Sequence, residues 1–356
     1  MKRTALLLLS GLALAACKKE SSDGPSNSTG ATYSNSAVLA DFTTHLAQDN
    51  YNDLAAKAVT LQADVAAFIA SGTDGDLAAC KQAWRDARQA WERSEGMLFG
   101  PVSTENIDPR IDTWPVNFTD LEAQLSSSNA FTQDYITSLE DALKGFHPIE
   151  YMLFGQNGSK TAAQFTARER EYLTALVADV VMLTDELAHQ WDPSTDNNYS
   201  TTFRTAGSGN AVYPTQRAAF EEMVNAMAGI CDEVANGKLS EPLLAQDPSL
   251  EESPFAKNSL TDFTNNIRSV ENVYLCRYAE DGMGLEDLVR QYNLSLDGTI
   301  KQQIAAAIAA LNSITVPYGE AIITQQVQVH QAIDAINALA TTLNEQLLPL
   351  VQQHTN

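Results

Sequence analysis

Leu77, Cys80, Trp84, Ala87, Trp91, Ser94 and Leu98 recur at alternating steps of three and four residues. That period lays side chains along one stripe of an α-helix, and a stripe carrying two tryptophans is a core seam. The same period governs most of the chain. It predicts helices over 35–71 (with a kink near Asn50), 75–98, 129–144, 147–154, 161–191, 215–236, 259–279, 284–293, 297–312 and 318–353. Ala, Leu, Gln, Asp and Glu dominate and β-branched runs are few, so the fold class is all-α. The polar stretch "WDPSTDNNYSTTFRTAGSGNAVYP" (191–214) is the best boundary. It divides the chain into a first helical bundle, 35–205, and a second, 206–356. Nothing resembles a dinucleotide-binding unit, a phosphate-binding loop or a nucleophile elbow.

The first residues, "MKRTALLLLSGLALAAC", join a basic start to an apolar run too short to span a membrane, then to small residues before Cys17. "LAAC" resembles a bacterial lipobox, which implies cleavage after residue 16 and lipidation of Cys17. The polar run over 17–34 reads as a flexible tether. Lys18 after the cysteine favours the outer membrane over inner-membrane retention. Membrane attachment is therefore expected through the lipid alone. Lys2 and Arg3 fall in the leader, so 20 of the 22 basic residues face all 45 acidic ones in the mature chain. A body so negative repels nucleic acid and anionic lipid and attracts cations. Cys80, Cys231 and Cys276 fit no zinc framework and read as buried apolar residues, with a Cys231–Cys276 disulfide open if their helices touch.

Three places carry possible chemistry. Arg88, Glu92 and Glu95 lie on one flank of the tryptophan seam, at i, i+4 and i+7. They make either a solvated ion-pair row or one wall of a cleft. Trp84 and Trp91 read as core rather than as ligand stackers. In "ENIDPRIDTWPVNF" (105–118), Asp108 and Asp112 occupy an irregular connection, where Asp112 is a turn former or a ligand. In "GFHPIE", Gly145 ends one helix, Pro148 suits the first position of the next, and His147 stands at or beside its N-cap. Glu150 falls on the same side. It suits a helix start electrostatically, but an imidazole beside a carboxylate also suits a cation. Two ligands hold no metal firmly, so Glu92, Glu95 and Asp112 are the expected complement. The zincin pattern H-E-x-x-H is absent. An H-x-x-E zinc site would need a further histidine and a separate base, and His45, His189, His330 and His354 lie in no such motif.

These pieces together resemble the imelysin-like family of bacterial envelope proteins. The signature G-x-H-x-x-E is present as Gly145, His147 and Glu150. Upstream, "AWRDARQAWERSEGMLFGPV" and "IDTWPV" are family-like. Downstream, "ESPFAKNSLTDFTNNIRSVENVYL" and "GLEDLV" follow in the family's order. The resemblance implies two similar four-helix bundles with a site at their interface. It implies a metal site of His147, Glu150, Glu95, Glu92 and Asp112. Arg88, Trp91, Trp114, Ser253, Asn258, Ser259 and Asp262 are carried over as ligand-binding candidates, although Ser253, Asn258 and Ser259 are equally good helix caps. Relatives are associated with iron uptake, including the periplasmic component of Efe-type transporters. The expected cargo is thus iron, with zinc as the alternative, and the expected partners are outer-membrane or periplasmic iron-transport components. The family was first classed as metallopeptidases, which leaves a zinc peptidase using His147 and Glu150 as one rival reading and a non-catalytic adaptor as another. In one departure from the family's pattern, Cys276 stands where a small residue such as Gly is typical.

Overall fold

The computed structural model describes residues 33–356. The leader, Cys17 and all but the last two residues of the expected tether lie outside them. As the apolar period predicts, the described residues are helical throughout their regular structure, with a single isolated β-bridge between Arg277 and Asp281.

Asn35–Ser71 is one continuous helix, begun by Ser34, whose side chain accepts from the Ala37 N–H at 3.1 Å. Its buried positions run Leu39, Phe42 and Leu46, then Tyr51, Leu54, Leu61 and Phe68. The longer step from Leu46 to Tyr51 is absorbed by a π-helical turn over Phe42–Gln48, which slips the register by a residue. The irregularity expected near Asn50 is this turn. Asn50 itself is buried and donates to the Ala90 carbonyl at 2.9 Å. By length and composition the helix could cross a membrane, but its apolar stripe packs on Asp74–Glu92 and Ala167–Trp191.

Asp74–Glu92, the tryptophan helix, starts on a Thr73 cap. It stops six residues short of the expected end, and a 3-10 turn, Glu95–Met97, follows. Gly96 explains the change. A Cβ there would sit 2.9 Å from the Ser269 carbonyl oxygen, so the chain leaves the helix to press its backbone against Ser259–Leu275. The stretch 129–144 also differs from expectation. It holds only the short helix Gln133–Ser138 and a 3-10 turn, Asp141–Leu143. The polar connection after Trp191 carries its own helix, Tyr199–Arg204. Phe203 from that helix is buried against Phe42, Phe99 and Trp191.

In the second half, Gln216–Asp232, Ser259–Leu275, Leu294–Asn312 and Gln326–Thr342 pack on one another. The expected single helix over 318–353 is interrupted at Gln325 and by a π turn, Leu343–Leu347. Ser259–Leu275 ends four residues early because Cys276 adopts a left-handed conformation, φ 50°. That is the C-cap geometry glycine favours, which accounts for a small residue being usual there. A side chain at such a position costs on the order of 1 kcal/mol. Cys80, Cys231 and Cys276 are all buried free thiols, so no Cys231–Cys276 bond forms. Residues 33–356 close into one compact unit, with the tryptophan helix lying against Ser259–Leu275 inside it.

Candidate metal centre

Where those two helices meet, the core turns polar. Arg88 is fully buried. Its guanidinium reaches Glu92 at 2.5 Å, Glu252 at 2.6 Å and Asp262 at 3.8 Å, and also pairs with Asp112. The flank read from the i, i+4, i+7 spacing is therefore interior: Glu92 and Glu95 are as buried as the apolar seam beside them. Asn266, one turn after Asp262, donates to Glu95 Oε2 at 2.6 Å and to Glu92.

Asp112 is not in an irregular connection. It is the last residue of a short helix, Ile107–Asp112. Two contacts fix it: the Trp91 indole N–H donates to its Oδ2 at 2.6 Å, and Arg88 holds Oδ1. Trp91 is thus a fully buried wall that aims Asp112, not a ligand-stacking surface. Gly145 brings the imidazole to the same place. Its φ is 82°, and a Cβ would lie 2.3 Å from the Ile111 carbonyl oxygen. Only a glycine lets the start of the next helix, Phe146–Phe154, touch the residue preceding Asp112. Gly145 is the N-cap, so His147 is the second helical residue and Pro148 the third rather than the first. Proline is tolerated there because first-turn N–H groups have no helical partner.

His147 Nε2 consequently stands 3.1 Å from Asp112 Oδ1 and 3.8 Å from Glu252 Oε1, and Nδ1 stands 3.6 Å from Glu150 Oε2. None of these approaches has hydrogen-bond alignment. Both imidazole nitrogens and Glu150 Oε2 are buried without a hydrogen-bond partner. The other Glu150 oxygen accepts from the Ala256 N–H at 2.7 Å. The Trp114 ring lies 5.0 Å from the imidazole, centre to centre. Asp112, His147 and Glu252 each offer an atom within 4.8 Å of the others, as do Glu92, Glu95 and Asp112.

Ser253, Asn258 and Ser259 act one step back. Ser253 Oγ donates to Asp262 at 2.6 Å, the Asn258 amide to the same carboxylate at 2.7 Å, and Ser259 Oγ to Glu251 at 2.8 Å. They spend their polar atoms positioning carboxylates, and Asn258, although at the N-cap, makes no side-chain cap bond. Two residues that sequence reasoning missed matter more. Glu252, beside Ser253 in the same motif, completes the group around His147. Lys238, in a π turn over Glu233–Leu239, bridges Glu95 at 3.1 Å, Glu233 at 3.3 Å and Glu252 at 3.4 Å. Glu252 was visible only as one acidic residue in an acidic chain. Lys238 carried no motif.

This cluster opens into a cleft of about 270 Å³, lined by Glu95, Asp108, Asp112, Trp114, Lys238 and Glu252 among others. Burial pushes the carboxyl groups of Glu92, Glu95, Glu150 and Asp262 up; Arg88 partly offsets this at Glu92 and His147 at Glu150, whereas the Glu92 charge adds to it at Glu95 and Asp262. Asp108 is raised to about 7 by burial and by Asp112. Asp112 moves the other way: burial would raise it, but Arg88 and His147 hold it well below the usual carboxylate range. Burial opposes the imidazolium of His147, yet Asp112 and Glu150 raise it to about 9. Glu92, Glu95, Asp112, Glu150, Glu252 and Asp262 outnumber the buried cations Arg88 and Lys238. One nitrogen among carboxylate oxygens suits a hard or borderline cation. Neither group contains a second imidazole or a thiolate.

The family model described as Imelysin matches residues 47–350. Iron-regulated protein A of Synechococcus elongatus is 32% identical over 321 residues, covering 88% of this chain and 86% of that protein. A crystal structure described as an iron-regulated protein A precursor, from Parabacteroides distasonis, superposes with a TM-score of 0.81 at 28% identity, covering 91% of this chain and 96% of that one. An imelysin-like protein from Psychrobacter arcticum shares the fold, with a TM-score of 0.71 at 14% identity over 90% and 97% of the two chains.

Proposed function

This chain belongs to the imelysin family, and from that premise we propose that it captures iron for uptake at the cell envelope, held there by a lipid on Cys17. The ion binds in the acidic cleft, with Asp112, His147 and Glu252 as the inner ligands and Glu92, Glu95 and Glu150 around them. The observation that carries this reading is the buried imidazole with both nitrogens lacking a hydrogen-bond partner, behind Asp112 and Glu252, which line the acidic cleft. Leaving a buried nitrogen unsatisfied costs about 1–3 kcal/mol, which a cation bound at Nε2 recovers for that atom. The iron-regulated relative in Synechococcus supports iron as the cargo. The role is capture and handover to a transport partner in the envelope, because the cluster offers ligands without a second imidazole or an assigned general base. The test is anaerobic calorimetric titration of the purified chain with Fe(II). His147→Ala and Glu252→Gln are expected to weaken binding at least tenfold while circular dichroism stays helical. Equal affinity in wild type and both variants would overturn the proposal.

A further inference from the structure

The helix pair that builds the acidic centre has a second side. Asp262, Asn266 and Ser269 of Ser259–Leu275 face the carboxylates or the Gly96 contact. Thr261, Thr264, Asn265 and Arg268 of the same helix line another side of it. With Gln89 and Arg93 of the tryptophan helix and Ile314 beyond the Leu294–Asn312 helix, they line a cleft of about 440 Å³.

Its chemistry is opposite to that of the metal centre. No Asp or Glu lines it, in a chain with 45 acidic residues against 22 basic ones. Among the described residues neither Arg93 nor Arg268 has a carboxylate within ion-pair distance, whereas Arg88 of the tryptophan helix has four. Arg93 is oriented: its Nε–H donates to Asn265 Oδ1 at 3.0 Å, and Asn265 is fixed by donating to the Thr261 carbonyl at 2.8 Å. That bond places the Arg93 side chain on the wall of the cleft beside Asn265. Both arginines are only partly exposed. Both arginines line the same concave, partly desolvated wall. They concentrate positive potential where the rest of the surface is negative, and a planar guanidinium fork matches an oxyanion.

We propose that this cleft is an anion site that binds a small carboxylate- or phosphate-bearing molecule between Arg93 and Arg268, with the Gln89 amide as a neutral donor. It is separate from the cation site and lies across the same two helices. The volume admits a molecule of metabolite size rather than a polymer.

Calorimetric titration of the purified chain at low ionic strength with inorganic phosphate, pyrophosphate and succinate separates the two ligand classes. At least one is expected to bind saturably at one site per chain. Arg93→Met and Arg268→Met should each weaken that binding at least tenfold, and 0.5 M NaCl should weaken it as well. Thr264→Trp, which fills the cleft while keeping both arginines, should abolish it, and Fe(II) affinity should be unchanged in all three variants. Preference for pyrophosphate or for succinate assigns the class. No saturable binding of any of the three, or equal binding in wild type and in both the Arg268→Met and Thr264→Trp variants, would overturn the proposal.

Discussion

Replacing Arg88 by Met removes the guanidinium from the middle of the cluster, leaving Lys238 and His147 as its cations, while roughly keeping its volume. The guanidinium is fully buried and faces four carboxylates, from Glu92, Asp112, Glu252 and Asp262. Each contact near 4 Å is worth a few kcal/mol at an effective dielectric of about 20, but burying the guanidinium offsets much of that gain. The more reliable guide is the cost of orphaning the partner of a buried ion pair, about 3–5 kcal/mol. The loss depends on pH, and its sign follows from Asp112. Arg88 holds that carboxyl below its unfolded value, so its contribution is present above the unfolded pKa, near 4, and is lost as pH falls towards the depressed folded value. In the variant, Asp112 and its neighbours must either stay charged without that counter-ion or take up protons. Arg88→Met is therefore expected to destabilise by about 3–5 kcal/mol at pH 8 and by clearly less at about pH 3, below the unfolded carboxyl pKa, where protons substitute for the guanidinium. Urea unfolding followed at 222 nm at the two pH values measures both. A loss under about 1 kcal/mol at pH 8, or an equal loss at both, would show that the carboxylates do not depend on Arg88.

Two further outcomes are expected. Gly145→Ala places a Cβ against the Ile111 carbonyl at a positive φ, and the two must separate; a fall in Tm of about 5 °C or more, together with weakened Fe(II) binding, is expected, and an unchanged Tm would show that the Asp112 segment moves freely. His147 titrates near 9 and must lose its proton to bind a metal, so Mn(II) affinity measured by competition should rise with pH from 6 to 9, by up to about tenfold per unit, and level off above. An affinity flat across that range would remove His147 from the ligand set.

The all-α class was legible because the apolar period is a long-range regularity that no local accident imitates. The breaks were less legible. A π turn such as Phe42–Gln48 shifts a hydrogen-bond register without changing composition, and Leu343–Leu347 passed as ordinary helix for the same reason. The site was half legible. The i, i+4, i+7 spacing put Arg88, Glu92 and Glu95 on one flank, but periodicity cannot say whether a flank meets water or another helix. Gly96 decides that, through an approach to Ser269 that exists only in three dimensions. His147 and Glu150 were found by motif. Glu252 and Lys238 were not, since a carboxylate in an acidic chain and a lysine on a helix are the least distinctive residues available. Trp91 was read first as core, which its burial supports, and its use as an indole donor to Asp112 depends on a partner 21 positions away.

Lys238 gives the cleft a resident occupant. Its ammonium already sits among Glu95, Glu233 and Glu252, as a tethered monovalent ion would. A metal that takes Glu95 or Glu252 enters by ion exchange, and its affinity is the difference between two attractions rather than the whole of one. The displaced ammonium stays on its side chain, poised to return. If the cleft binds iron as proposed, departure of the metal returns Glu95 and Glu252 to the ammonium, and the barrier to release is lower than the number of acidic groups suggests.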